Sequence, residues 1–174
     1  SETALALVAF FSFGPMVLFS PIAGALVDRW NRKNIMIMAD LAAGLATMSL
    51  LFLYSTGQLQ IWHLYVAGAF ASTFEAFQFP AFSAAITMMI DKKHYARANG
   101  MQSLSDSGST IVAPVIASIM LVATGIAGVM IIDIITFFIA IGTIILIKIP
   151  QPKQSDDGQK AQGSLLQESL FGFR

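Results

Sequence analysis

Four carboxylates stand inside long apolar runs of this sequence: Asp40, Glu75, Asp106 and Asp133. No Lys or Arg is buried with them. An ionised side chain at the centre of a bilayer costs ~2.5–3.5 kcal/mol on insertion scales. A residue kept at that cost lines a polar pathway, stays protonated, or sits near enough to an end to reach water. A carboxyl that gains and loses a proton as its access to solvent changes is what proton coupling needs. A second cluster is Gly24-Ala25-Leu26-Val27-Asp28-Arg29-Trp30-Asn31-Arg32-Lys33, which packs three bases and one acid into a short turn between two apolar runs.

The solvent for these groups follows from composition. The chain has 174 residues, 56% of them hydrophobic and 11% charged, with mean hydropathy +0.71. A soluble domain carries about 25% charged residues, so there is too little polar surface here to cover a water-soluble globule. Lipid is the expected solvent. A formal net charge of zero gives no support for a nucleic-acid partner. With no cysteine there is no disulfide framework, thiolate nucleophile or cysteine metal site. His63 and His94 are isolated near the ends of apolar runs, and no His-Glu-x-x-His, Gly-x-Ser-x-Gly or phosphate-binding loop is present. The sequence therefore points away from an enzyme, and no cofactor or metal is expected. Any transport would draw on an ion gradient rather than ATP.

A helix crossing the hydrocarbon core needs roughly 20 mainly apolar residues. Five stretches qualify, at about 4–27, 35–54, 61–90, 101–124 and 128–149. The third, with Pro80, is longer than a bilayer core and must tilt, bend or protrude. The last two are separated only by Gly125-Ile126-Ala127. Alternation at β-barrel spacing is not seen, so the expected fold is an all-α polytopic bundle over 1–150. All ten bases follow the first, third and fifth stretches, which by the positive-inside rule puts the connections at 28–34, 91–100 and 150–174 in the cytoplasm. Ser1 then falls outside, and an earlier helix is expected to have delivered it there. Residues 151–174 begin polar, reading as a cytoplasmic linker, and turn apolar at 164–174, which could start an amphipathic helix.

Depth separates the acids. Asp40 is about a turn and a half from the cytoplasmic end, near Arg32 and Lys33, where ion pairing is the plain expectation. Asp106 and Asp133 lie within about two turns of opposite ends. Glu75 falls at the middle of its stretch, out of reach of either interface, leaving two roles: a proton-coupling carboxyl, or a structural hydrogen bond with Gln78 or Ser72. In the fourth stretch Ser105, Ser109, Ala113 and Ala117 recur at every fourth place, a strip of small residues that lets another helix approach. Pro114 within it is expected to bend the helix.

From Gly24 to Lys33 the sequence resembles the major facilitator superfamily. Its signature between the second and third helices, Gly-x-Leu-x-Asp-Arg-x-Gly-Arg-Lys, is matched by Gly24, Leu26, Asp28, Arg29, Arg32 and Lys33, with Asn31 replacing a Gly. The Asp-Arg-Trp-Asn-Arg-Lys form is similar to the macrolide-efflux branch of bacterial drug exporters. A fifth-helix motif of the superfamily's exporters is echoed by Ser109, Ala113, Pro114, Ala117 and Ser118, with the proline kept and each Gly replaced by a small residue. The basic side chain of proton-coupled members is absent from the fourth helix, where Glu75-Ala76-Phe77-Gln78-Phe79-Pro80 stands instead.

The resemblance implies helices two to six of a twelve-helix protein in the bacterial inner membrane, partnered by the first helix and a C-terminal half. It implies alternating access to a central cavity, with Asp28 acting in a cytoplasmic latch across to the other half. The leading reading is a secondary active exporter of amphiphilic small molecules driven by a proton gradient, with Glu75 and Asp106 as candidate coupling acids. An importer of the same superfamily and a non-transporting membrane scaffold are the alternatives.

Overall fold

A computed structural model describes residues 2–150, without the side chains of Ala25 and Asp28. The linker and amphipathic segment expected at 151–174 lie outside the described residues, as does the Asp28 carboxylate. Among the described residues four helices run in chain order, α1 (Glu2–Arg29), α2 (Arg32–Ser55), α3 (Ile61–Met89) and α4 (Tyr95–Leu146), with a 3₁₀ turn at Lys92–His94. No strand occurs among the described residues.

Local chemistry explains the boundaries. Asn31 caps α2, its side-chain oxygen accepting from Asn34 N–H at 3.3 Å, one of the donors a helix start leaves open. Gly57 ends the same helix with φ +69, and Gln58 N–H closes back on Leu53 O at 2.9 Å. That left-handed conformation favours glycine. At the start of α3, Gln60 N–H donates to His63 Nδ1 at 2.9 Å, so the isolated histidine is a helix cap.

α4 is two arms. At Gly125 the backbone takes φ 68 and ψ −178, a region open essentially to glycine alone. Straight, its 52 residues would extend about 78 Å. Both of its ends nevertheless lie at the same end of the bundle. Tyr95 Oη donates to Thr87 O near the end of α3, while Ile144 packs against the buried cluster of Val27, Ile35, Met36, Ala81 and Ala85, the last two from that same end of α3. The helix therefore doubles back at Gly125, and its second arm runs antiparallel along α2.

α3 is the central element, packed against α1 on one side and α2 on the other, and α4 packs on α2. Where α1 meets α3, the Phe11 and Tyr65 rings stack with centroids 5.5 Å apart, and Met16 N–H donates to Ser72 Oγ at 3.1 Å. Where α4 meets α2, the ring of Phe137 occupies the space a Cβ on Gly44 would take, 2.6 Å away. The closest-packed cluster lies at the basic end, where Val27, Ile35, Met36, Ala81 and Ala85 meet, with Phe77, Ile144 and Ile149 against them.

Among the described residues three segments are long and apolar enough to cross a membrane: Glu2–Gly24, Arg32–Ser55 and Lys92–Leu146, the last containing both arms of α4. α3, the third of the five spans expected from the sequence, is long enough at 29 residues but falls short in hydropathy. Glu75, Gln78 and several hydroxyls lower it. Gln78 and Ser72 are bonded to the neighbouring helices α2 and α1, whereas Glu75 is exposed.

Candidate functional site

The basic turn between α1 and α2 sits over the closest-packed cluster. Arg32 is 8% exposed, in the first turn of α2, with Nη1 of its guanidinium against Met88 Sδ of α3. Lys33 Nζ donates to Ile145 O at 2.7 Å and Ile147 O at 2.8 Å, at the end of α4. The basic connections after α1, after α3 and after α4 are thus gathered at one end of the bundle. The ion pair expected between Asp40 and these bases gives way to a different partner. Asp40 accepts from Gln78 Nε2 of α3, because the first turn of α2 sends Lys33 outward to α4.

Asp133 accepts from Thr47 Oγ1 at 2.7 Å, tying the second arm of α4 to α2. Asp106 accepts from Gln102 Nε2 at 3.0 Å, one turn back on its own helix. Each of these acids is held by a neutral donor.

Glu75 differs. Both partners considered for it face other helices: Gln78 Nε2 donates to Asp40 of α2, and Ser72 Oγ accepts from Met16 N–H of α1. No hydrogen bond or ion pair of Glu75 is found among the described residues, and the residue is exposed. The helical repeat explains why. Ser72 and Ala76 are buried, Ser72 bonded to Met16 of α1, and Ala81 and Ala85 join the core with α2. Glu75 lies on the remaining face, with Phe79 and Phe82, which are 67% and 37% exposed, one and two turns further on.

The small-residue strip Ser105, Ser109, Ala113 and Ala117 is exposed along the first arm of α4, as are Pro114 and Ser118. The helix continues through Pro114, whose carbonyl accepts from Ser118 Oγ at 2.7 Å. An aromatic-rich groove of about 880 Å³ lies between α1 and α3, lined by Phe10, Phe11, Phe13, Pro15, Phe19 and Thr73 among others. Thr73 and Glu75 are two residues apart on one helix and so lie on nearly opposite faces; the groove and the midspan acid do not coincide.

Three features at these sites escape a reading of the sequence: the Thr47–Asp133 bond, the seat of Phe137 on Gly44, and the reach of Lys33 to α4. Only Gln78, polar inside an apolar run, leaves a local signal of its contact.

Comparison with known proteins adds to this geometry. The chain is 28% identical over 173 residues to Macrolide efflux protein A of Streptococcus pyogenes, covering 99% of this chain and 42% of that protein. It is 28% identical over 166 residues to Macrolide efflux protein A of Enterococcus faecalis, covering 95% and 51%. An uncharacterized MFS-type transporter of Bacillus subtilis, YfiS, is 26% identical over 137 residues, or 79% and 31% of the two chains. The chain spans about half or less of the length of these curated relatives. No solved structure matches it. The family model of the Major Facilitator Superfamily matches residues 1–173; the chain, an all-α bundle with helices long and apolar enough to cross a membrane, belongs to the Major Facilitator Superfamily.

Proposed function

We propose that this chain is part of a secondary active exporter of amphiphilic small molecules, working by alternating access in the bacterial inner membrane and driven by proton antiport. The observation that carries the reading is Glu75: a carboxyl at the middle of α3, exposed on the face turned from α1 and α2 and with no hydrogen-bond partner among the described residues, while Gln78 and Ser72 turn to α2 and α1. A structural acid would be expected to hold a partner, as Asp40 and Asp133 do. An acid left open in a membrane protein is suited to take up and release a proton, or to meet a basic group on a substrate. Relatives named for macrolide efflux over nearly the whole chain support the outward direction.

The test uses the complete transporter in cells, measuring accumulation of a macrolide with and without a protonophore. The parent protein is expected to lower accumulation, and the protonophore to abolish that effect. Glu75→Gln, which keeps size and hydrogen bonding but cannot ionise, is expected to lose most proton-dependent efflux while inserting normally. Full efflux by that variant sinks the coupling role of Glu75.

A further inference from the structure

Lys33 occupies the first turn of α2, where the partial positive charge of the helix N-terminus disfavours a cation. Its ammonium reaches the opposite pole of a different helix. Nζ donates to two carbonyls, Ile145 O at 2.7 Å and Ile147 O at 2.8 Å. Ile145 belongs to the last turn of α4 and Ile147 is its C-terminal cap, whose N–H closes on Thr143 O at 3.1 Å. Carbonyls of a final helical turn have no donor within the helix and carry its partial negative charge. One ammonium therefore satisfies two open acceptors and complements the dipole. On either side of these carbonyls, Ile144 and Ile149 pack against the cluster formed by Val27, Ile35, Met36, Ala81 and Ala85. Polar and apolar contacts thus fix the same turn.

We propose that Lys33 is a positioning residue that clasps the last turn of α4 to the first turn of α2, so that the basic turn and the segment leaving α4 at 148–150 move as one body. The basic turn then has two separable jobs. Lys33 acts inside this bundle, whereas the latch role proposed for Asp28 acts across to the rest of the transporter. The clasp stands on its geometry; its effect on transport rests on the efflux reading above.

Hydrogen–deuterium exchange on the complete transporter separates the two. Lys33→Met is expected to raise exchange of the Ile147 amide about tenfold, as loss of charged hydrogen bonds should, with amides of α1 unchanged. Lys33→Arg, which keeps charge and donors, is expected to stay near the parent. Efflux should fall several-fold in Lys33→Met at equal membrane abundance and recover in Lys33→Arg. Should Lys33→Met fail to insert, Lys33→Gln, which keeps a donor without the charge, is read for the same intermediate-to-large rise at Ile147. Unchanged exchange at Ile147 in the neutral variant overturns the clasp. Raised exchange with undiminished efflux overturns the positioning role. A parent protein that shows no efflux refutes the transport reading and leaves the exchange result to decide the clasp.

Discussion

Asp40 and Asp133 are each held by a neutral side chain from a neighbouring helix, Gln78 and Thr47. Hydrogen bonds of that kind between helices are how a membrane interior accommodates polar groups without a countercharge. Glu75 has no such anchor among the described residues, which separates it from the other intramembrane acids more sharply than depth does. Within the basic turn the bases also divide: Arg32 is buried under the turn, while Lys33 reaches α4. Asp28 stands between Arg29 and the packed end of α1, at the position of the family's signature acid. A charge that biases a two-state rocking motion is most sensitive to neutralisation, so Asp28→Asn in the complete protein is expected to abolish efflux with insertion intact. Membrane abundance by immunoblot and drug accumulation in the same cells check this; unchanged accumulation refutes the latch.

Helices α2 and α4 meet through a close approach that only glycine permits. A Cβ at Gly44 would stand 2.6 Å from two ring carbons of Phe137 and 2.8 Å from a third, near the base of the side chain. The contact reaches Cγ as well as the outer ring, so the whole side chain must shift, and Gly44→Ala is expected to destabilise the bundle by about 1–3 kcal/mol, the usual cost of overpacking. Thermal unfolding of the detergent-solubilised protein reads this as a lowered midpoint. The double variant Gly44→Ala with Phe137→Leu should recover part of the loss, because the pair is in contact and its effects are not additive. A simple sum of the two single effects would mean that the packing seen here does not govern stability. The break in α4 is of the same character. It falls at Gly125, the first residue of the short connection Gly125-Ile126-Ala127, because no other residue in that stretch takes φ 68 without strain.

As a whole, the molecule is packed closely at one end and open elsewhere. Its buried apolar cluster joins all four helices beneath the basic turn, whereas the first arm of α4 leaves Met101, Leu104, Ile111 and Val122 between 64% and 89% exposed. Glu75 likewise looks away from every helix that packs on α3. In the alternating-access mechanism proposed above, a cavity needs walls on both sides of its substrate, and these residues would supply one side. Residues 1–174 reconstituted alone into lipid vesicles are therefore expected to take up no macrolide under an imposed proton gradient. Gradient-driven uptake by that chain would show that the proposed division between two halves is mistaken.

Composition and charge order are local properties, and they were enough to determine an all-helical membrane bundle whose basic connections share an end. The motif from Gly24 to Lys33 was equally legible, since a signature at fixed spacing survives without knowledge of the fold. What the tertiary structure decided is which polar group meets which. Asp40 was near Arg32 and Lys33 in sequence, yet its partner is Gln78, 38 residues away. Lys33 belonged on sequence to a latch, yet its ammonium holds carbonyls 112 and 114 residues further on. Glu75 was ambiguous between a bonded and an open acid until its two possible partners were seen to face other helices. Hydropathy and charge act on each residue against its solvent, whereas a hydrogen bond depends on two side chains arriving within about 3 Å of one another, and that is set by how the helices cross and rotate.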